Sequence, residues 1–261
     1  MKVDPGPFRL GDVGGRGPAV LCLHGLTGTP YEVRPPAEAL AAEGFACLGP
    51  LLPGHGTRPE DLAEVHRDAW IDAVVESWDE LAATHSRVYT VGLSMGGVLA
   101  LALSARRAVP GAVVMAAPLQ LSPLVRTGVP LLRRFLRFLP KRPAILDDAA
   151  RERHPGYDRM PLAAVHQLIQ LGQEVSRDLA RITHPLKLIY SRRDPSVHTS
   201  NAERVLSGVS SQESSVSFLH DSGHVLPVDR ERAVVASQVV EFVTRLEERS
   251  PVDGSRLPGE F

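Results

Sequence analysis

The chain has 261 residues, 43% of them apolar, and a net charge of −1. That length suits one large domain with a sizeable core. The balanced charge excludes a global field that would draw in nucleic acid, and with no run of about 18 apolar residues a membrane-spanning helix is excluded as well.

In chain order, short apolar runs alternate with longer helical patterns. An extended piece is expected at 8–13, then a strand at 19–24, a helix at 30–43, a strand at 45–49 and a helix at 68–84. A strand at 88–92, a helix at 95–107 and a strand at 112–116 follow. After a long break come a strand at 186–191, a helix at 199–207, a strand at 215–219 and a helix at 230–248. Near-continuous apolar strands separated by helices predict an α/β fold with a mostly parallel central sheet and helices on both faces. In such sheets the site lies at the carboxyl ends of the strands.

Residues 119–184 break the alternation and contain Pro123, Pro130, Pro140, Pro143, Pro155 and Pro161. A plain loop is rarely so long. The segment reads as a helical cap over the sheet, within one domain spanning 1–261, and the Pro/Gly/Ser-rich tail 250–261 reads as frayed. Within the cap, residues 129–142 place Leu131, Leu132, Phe135, Leu136, Phe138 and Leu139 at helical spacing, with Arg133, Arg134 and Arg137 on the remaining side. The expectation is a basic amphipathic helix packed by its apolar side over the site. Weak contact with an anionic lipid surface is the alternative.

Gly92-Leu93-Ser94-Met95-Gly96 joins the strand at 88–92 to the helix that follows. Small residues on either side allow a sharp turn that lifts the serine hydroxyl above the sheet edge. A serine needs a histidine to take its proton and an acid to hold that histidine's tautomer. After this turn the expected chain order is serine, acid, histidine. Asp194 follows the strand at 186–191, and His224 lies just past the strand at 215–219, in Asp221-Ser222-Gly223-His224. The Ser-Gly pair supplies a loop able to aim the ring inward. His220 is the competing base, and Asp221 and Asp229 read as turn and cap residues. His24-Gly25-Leu26-Thr27-Gly28 follows the strand at 19–24. The amides of Leu26 and Met95 are the expected oxyanion donors, with His24 as a prop for the loop. Serine and histidine supply the chemistry, so no cofactor and no metal are expected. Cys22 and Cys47 read as buried thiols of a reducing compartment, without histidines spaced for zinc. Residues 1–7 lack the apolar segment of a secretory signal, and a cytoplasmic location is expected.

His24-Gly25-Leu26-Thr27-Gly28-Thr29-Pro30, Gly92-Leu93-Ser94-Met95-Gly96-Gly97 and Ser222-Gly223-His224-Val225 resemble the α/β-hydrolase superfamily, in particular its bacterial carboxylesterase and monoacylglycerol lipase branch. Leu52-Pro53-Gly54-His55-Gly56 resembles the Gly-His-Gly stretch of that branch, and Ile145-Leu146-Asp147-Asp148 and Tyr157-Asp158-Arg159-Met160-Pro161-Leu162 resemble its cap pattern. The resemblance implies an α/β-hydrolase fold and a serine ester hydrolase, working through an acyl-enzyme on apolar short-to-medium-chain esters or monoglycerides. Thioester or amide hydrolysis, acyl transfer, or ligand binding without turnover are the alternatives on the same framework. Leu26 replaces a phenylalanine common in the branch, and Asp158 replaces a longer glutamate that would meet the alcohol part of a glyceryl ester. Leu119, Ile145, Leu171, Val197 and Val225 are candidates for the acyl pocket, and each is equally suited to the core.

Overall fold

The structure is a computed structural model that describes residues 3–249, so the tail read as frayed lies outside the described residues. The chain begins with β1 (Phe8–Leu10) and β2 (Pro18–Leu23). A 3-10 turn (Pro30–Val33) leads into α1 (Arg34–Ala42) and β3 (Ala46–Gly49). Next come α2 (Pro59–Ala63), α3 (Arg67–Ala82), β4 (Arg87–Leu93), α4 (Met95–Ser104) and β5 (Ala112–Met115). The segment after β5 holds α5 (Pro123–Leu132), β6 (Phe138–Pro140), α6 (Asp148–Arg153), β7 (Arg159–Pro161) and α7 (Leu162–Asp178). The chain closes with β8 (Leu186–Ser191), α8 (Ser200–Gly208), β9 (Ser214–Leu219) and α9 (Arg232–Arg249).

Seven strands form the main sheet in the order β1-β3-β2-β4-β5-β8-β9. The pairings are parallel except for β1 against β3. Alternation along β2 explains the layering. Ala19, Leu21 and Leu23 enter the core on one face, and Val20 and Cys22 enter the core on the other. Cys22 and Cys47 are free and buried. The first face is covered by α3, α4, α7 and α8, through Trp70, Leu99, Leu171 and Val205 among others. The second is covered by α1 and α9, through Leu40 and Phe242. Every residue of α4 is buried, as expected of a helix that is apolar all round.

The inserted segment follows the sequence reading in part. It is helical, but β6 and β7 also pair antiparallel, with Leu139 opposite Met160. The single amphipathic helix expected over 129–142 is not formed. α5 stops at Leu132, and the chain turns before β6. Pairing with β7 claims Phe138–Pro140 as a strand, and Pro140 has no N–H with which to continue a helix. Of the apolar side chains expected to pack inward, all but the half-buried Phe138 are exposed, Phe135 at 82% and Leu131 at 62%.

A buried carboxylate ties the insertion to the sheet. Asp229 accepts hydrogen bonds from the backbone N–H groups of Leu146 (2.9 Å), Asp147 (2.8 Å), Gly223 (2.6 Å) and Arg230 (2.8 Å). Its reading as a cap residue is too narrow, because it joins two distant loops. Asp221, by contrast, is half exposed and pairs with Arg193 and Arg230 at the surface. Each buried donor left without an acceptor costs about 1–3 kcal/mol. Asp229→Ala is therefore expected to lower the unfolding free energy by about 3 kcal/mol in urea titration, and Asp221→Ala by less than about 1 kcal/mol. An Asp229→Ala midpoint matching wild type contradicts the role given to this carboxylate.

Candidate active site

The turn from β4 into α4 is sharp because three backbone segments crowd it. A Cβ on Gly92 would overlap the backbone of Gly96, and one on Gly96 would overlap that of Leu23. Ser94 sits at φ 55° and ψ −118°, a conformation that costs a non-glycine residue about 1–3 kcal/mol. Its N–H donates to Met115 O at 2.8 Å. The hydroxyl is thereby fixed at the carboxyl end of the sheet.

Three side chains from separate strand ends meet there. Ser94 Oγ lies 2.8 Å from His224 Nε2, and His224 Nδ1 lies 2.7 Å from Asp194 Oδ2. The carboxylate can only accept, so Nδ1 carries the proton and Nε2 presents its lone pair to the hydroxyl. The Asp194 side chain is fully buried. Its Oδ1 accepts from the N–H groups of Ser196 (2.7 Å) and Val197 (3.0 Å), which locks its rotamer in the loop after β8. The His224 N–H donates to Ala144 O of the insertion at 2.7 Å. His220 is exposed and takes no part.

The loop after β2 is oriented by its own peptide planes. His24 is buried, and its Nε2 accepts from Leu52 N–H at 3.1 Å, so its Nδ1–H donates to Gly25 O at 2.9 Å. Gly28 N–H donates to the same oxygen at 3.1 Å. A trans peptide points its C=O and its N–H in opposite directions, so pinning Gly25 O aims the Leu26 N–H the other way. Met95 begins α4, where the first N–H groups have no intrahelical acceptor. Burial, opposed by the charge of Glu32, lowers the His24 pKa. His55, edge-on to His24 with ring centroids 4.8 Å apart, is lowered to about 3 by burial and by His24. Both rings are neutral props at ordinary pH.

Above Ser94 and His224 lies a cavity of about 310 Å³. Its walls are mostly apolar and come largely from the insertion, including Leu121, Val125, Val129, Leu162 and Leu168. Of the residues read as pocket candidates, Val197 and Val225 line it. Leu119 lines a neighbouring cleft behind Leu121, Leu171 is buried in the core under α4, and Ile145 is buried in the core on the other face. For Ile145 the reason is its place beside the Asp229 tie, where Ala144 faces the cavity and the side chain of Ile145 packs in the core. Asp158 also falls outside the site, since its side chain is 89% exposed beside Arg159. Tyr157 is the inward residue of that pair. Its hydroxyl donates to Gly54 O at 2.9 Å, and its N–H donates to Thr27 O at 2.9 Å.

Three residues at the polar end of the cavity escaped the sequence reading. Glu32 and Lys141 line it, and His154 lies behind them with its Nε2 2.8 Å from Glu32 Oε1.

Comparison with known proteins fits this geometry. Residues 16–231 match a family described as serine aminopeptidase, S33. The chain is 29% identical to a carboxylesterase of Bacillus subtilis (strain 168), over 95% of this chain and 100% of that one. It is 32% identical to a thermostable monoacylglycerol lipase of Bacillus sp. (strain H-257), over 87% of this chain and 90% of that one. A solved structure from work on two metagenome-derived lipolytic enzymes superposes with a TM-score of 0.85 at 26% identity, covering 92% of this chain and 98% of that one. With the parallel sheet and these matches together, the chain belongs to the serine aminopeptidase S33 family of α/β-hydrolases.

Proposed function

We propose that Ser94, His224 and Asp194 form the catalytic triad of this protein, that the Leu26 and Met95 amides form its oxyanion hole, and that residues 119–184 act as a cap. The chain is a serine ester hydrolase of the carboxylesterase and monoacylglycerol lipase kind. The hydrogen-bonded line from Ser94 through His224 to Asp194 carries the mechanism. The carboxylesterase and lipase relatives favour an ester over a thioester or an amide.

In this mechanism Ser94 Oγ attacks the ester carbonyl while His224 Nε2 takes its proton. Asp194 stabilises the imidazolium that forms. The carbonyl oxygen gains charge and is met by the Leu26 and Met95 amides, the latter at the positive end of α4. His224 then returns the proton to the leaving alcohol, and the same base activates water to release the acid. The cavity is at the small end of the range for ligand sites, and its apolar walls favour uncharged short-to-medium acyl chains, with monoglycerides among them. The free buried thiols are consistent with the reducing cytoplasm.

A second proposal concerns the rim of the site. Leu131, Leu132, Phe135, Leu136 and Leu139 are exposed beside Arg133, Arg134, Arg137 and Arg142. Leu139 and Arg142 also line the cavity, so this surface is continuous with its mouth. Exposed apolar side chains among arginines suit an anionic lipid surface, where each cation contributes about 1 kcal/mol within a Debye length. The contact is weak and would bring aggregated substrate to the opening.

Two outcomes are expected. Ser94→Ala loses at least about 10³-fold in kcat on p-nitrophenyl and monoacylglycerol esters of several chain lengths, with an unchanged urea midpoint. Residual turnover near wild type removes the mechanism. In sedimentation with anionic phospholipid vesicles, Arg133→Glu/Arg137→Glu partitions at least about tenfold less than wild type, and added salt weakens wild-type binding. Equal, salt-insensitive partition of the two proteins removes the lipid-surface reading.

A further inference from the structure

Glu32 lies in the 3-10 turn that follows the loop carrying Leu26, and its carboxylate is nearly fully buried, at 4% exposure. One oxygen accepts the Gly25 N–H at 2.9 Å, and the other is 2.8 Å from His154 Nε2. Gly156 N–H donates to His154 Nδ1, so it is the Nε2–H that donates to Glu32. The loop wraps closely around this carboxylate. A Cβ on Gly28 would overlap it, and a Cβ on Gly25 would lie 3.1 Å from Glu32 Oε2 and 3.3 Å from Ser94 Cβ. Gly25 is thus wedged between the buried acid and the nucleophile.

The insertion grips the same loop from the other side. Lys141 Nζ donates to Thr27 Oγ1, and Tyr157 N–H donates to Thr27 O. Thr27 is itself held at φ 63°, a left-handed conformation that a threonine keeps only when its surroundings fix it. Burial alone would raise the Glu32 carboxyl, but the hydrogen bond from His154 and the charge of Lys141 outweigh it and lower its pKa. The acid is therefore ionised at every working pH. Burial in turn lowers Lys141, and Glu32 opposes that shift.

We propose that Glu32 is the positioning residue of the oxyanion loop, and that Lys141, carried in by the insertion, is the counter-charge that lets a carboxylate stand beside a developing oxyanion. The proposal rests on the assignment of the Leu26 amide to the oxyanion hole. His24 fixes the Gly25 carbonyl, which shares a peptide with the Leu26 N–H, and Glu32 fixes the Gly25 N–H in the peptide before it, so Gly25 is held on both sides. An unbalanced negative charge at Glu32 would repel the negative charge that forms on the substrate oxygen, in a site where little water screens it. Lys141 offsets that repulsion and at the same time holds Thr27. The oxyanion hole is complete only with the insertion seated on the loop.

The test uses the full chain, steady-state kinetics on a p-nitrophenyl ester, and affinity for an alkyl boronic acid as tetrahedral analogue. Glu32→Ala is expected to lower kcat about 10²-fold with KM within about threefold, and to weaken the boronic acid by a similar factor. Glu32→Gln keeps an oxygen for the Gly25 N–H and is expected to stay within about tenfold of wild type. Lys141→Met is expected to lose more than about tenfold in kcat, and adding Glu32→Gln to it removes the uncompensated charge and recovers at least about fivefold. A folded Glu32→Ala protein with kcat and boronic acid affinity near wild type overturns the proposal. So does a Lys141→Met loss that Glu32→Gln leaves untouched, a result that decides the matter even where Glu32→Ala does not fold. Because Ser94→Ala is measured on the same ester, failure of this proposal is distinguishable from failure of the ester-hydrolase mechanism.

Discussion

The site depends on one constrained residue. Ser94 occupies a backbone region that disfavours any side chain, and the surrounding chain is built to hold it there. α4 is buried along its whole length, so it cannot relax outward. Gly92 and Gly96 pack so tightly against the turn and β2 that no side chain fits at either position. The strain is local, whereas the packing that resists it is spread over both layers of the core. A turn held this way presents its hydroxyl in one orientation before any substrate arrives, which is what preorganised catalysis requires.

The partners of that serine reach it by different means. Asp194 is fixed by its own loop through two backbone N–H groups. His224 leans on the insertion instead. Its N–H is held by Ala144, and the preceding glycine is held by Asp229, which also holds Leu146 and Asp147. The His224 imidazole and the wall of the cavity therefore share one anchor. A shift of the insertion near residue 145 would move the imidazole as well as the pocket.

Most of the sheet and the three side chains that meet at its carboxyl end were legible in the sequence. Apolar runs marked the strands because both faces of a parallel sheet are buried, and Ser94, Asp194 and His224 each follow a strand that was easy to see. The insertion was less legible for a physical reason. The apolar residues of 131–139 have helical spacing, but a period in the sequence says nothing about pairing with a strand twenty residues away, and β7 decided the outcome. The pocket lining failed similarly. Whether Ala144 or Ile145 faces the cavity, and whether Tyr157 or Asp158 turns inward, depends on where Asp229 and Gly54 lie in space. Glu32 went unnoticed because an acid near the start of a helix looks ordinary along the chain. Its meaning appears only when Gly25, His154 and Lys141 surround it.

Among its polar ties, the insertion is fastened at two carboxylates on opposite sides of Ser94. Asp229 joins it to the loop of His224, and Glu32 with Thr27 joins it to the loop of Leu26. Between these points its surface over the cavity is apolar. Apolar contacts tolerate substitution of similar volume, whereas a buried carboxylate stripped of its donors does not. It follows that the walls of the cavity can change in shape while the two carboxylate ties keep His224 and the loop after β2 in register. The shape of the cavity and the placement of His224 and Leu26 are carried by different interactions within the same inserted segment.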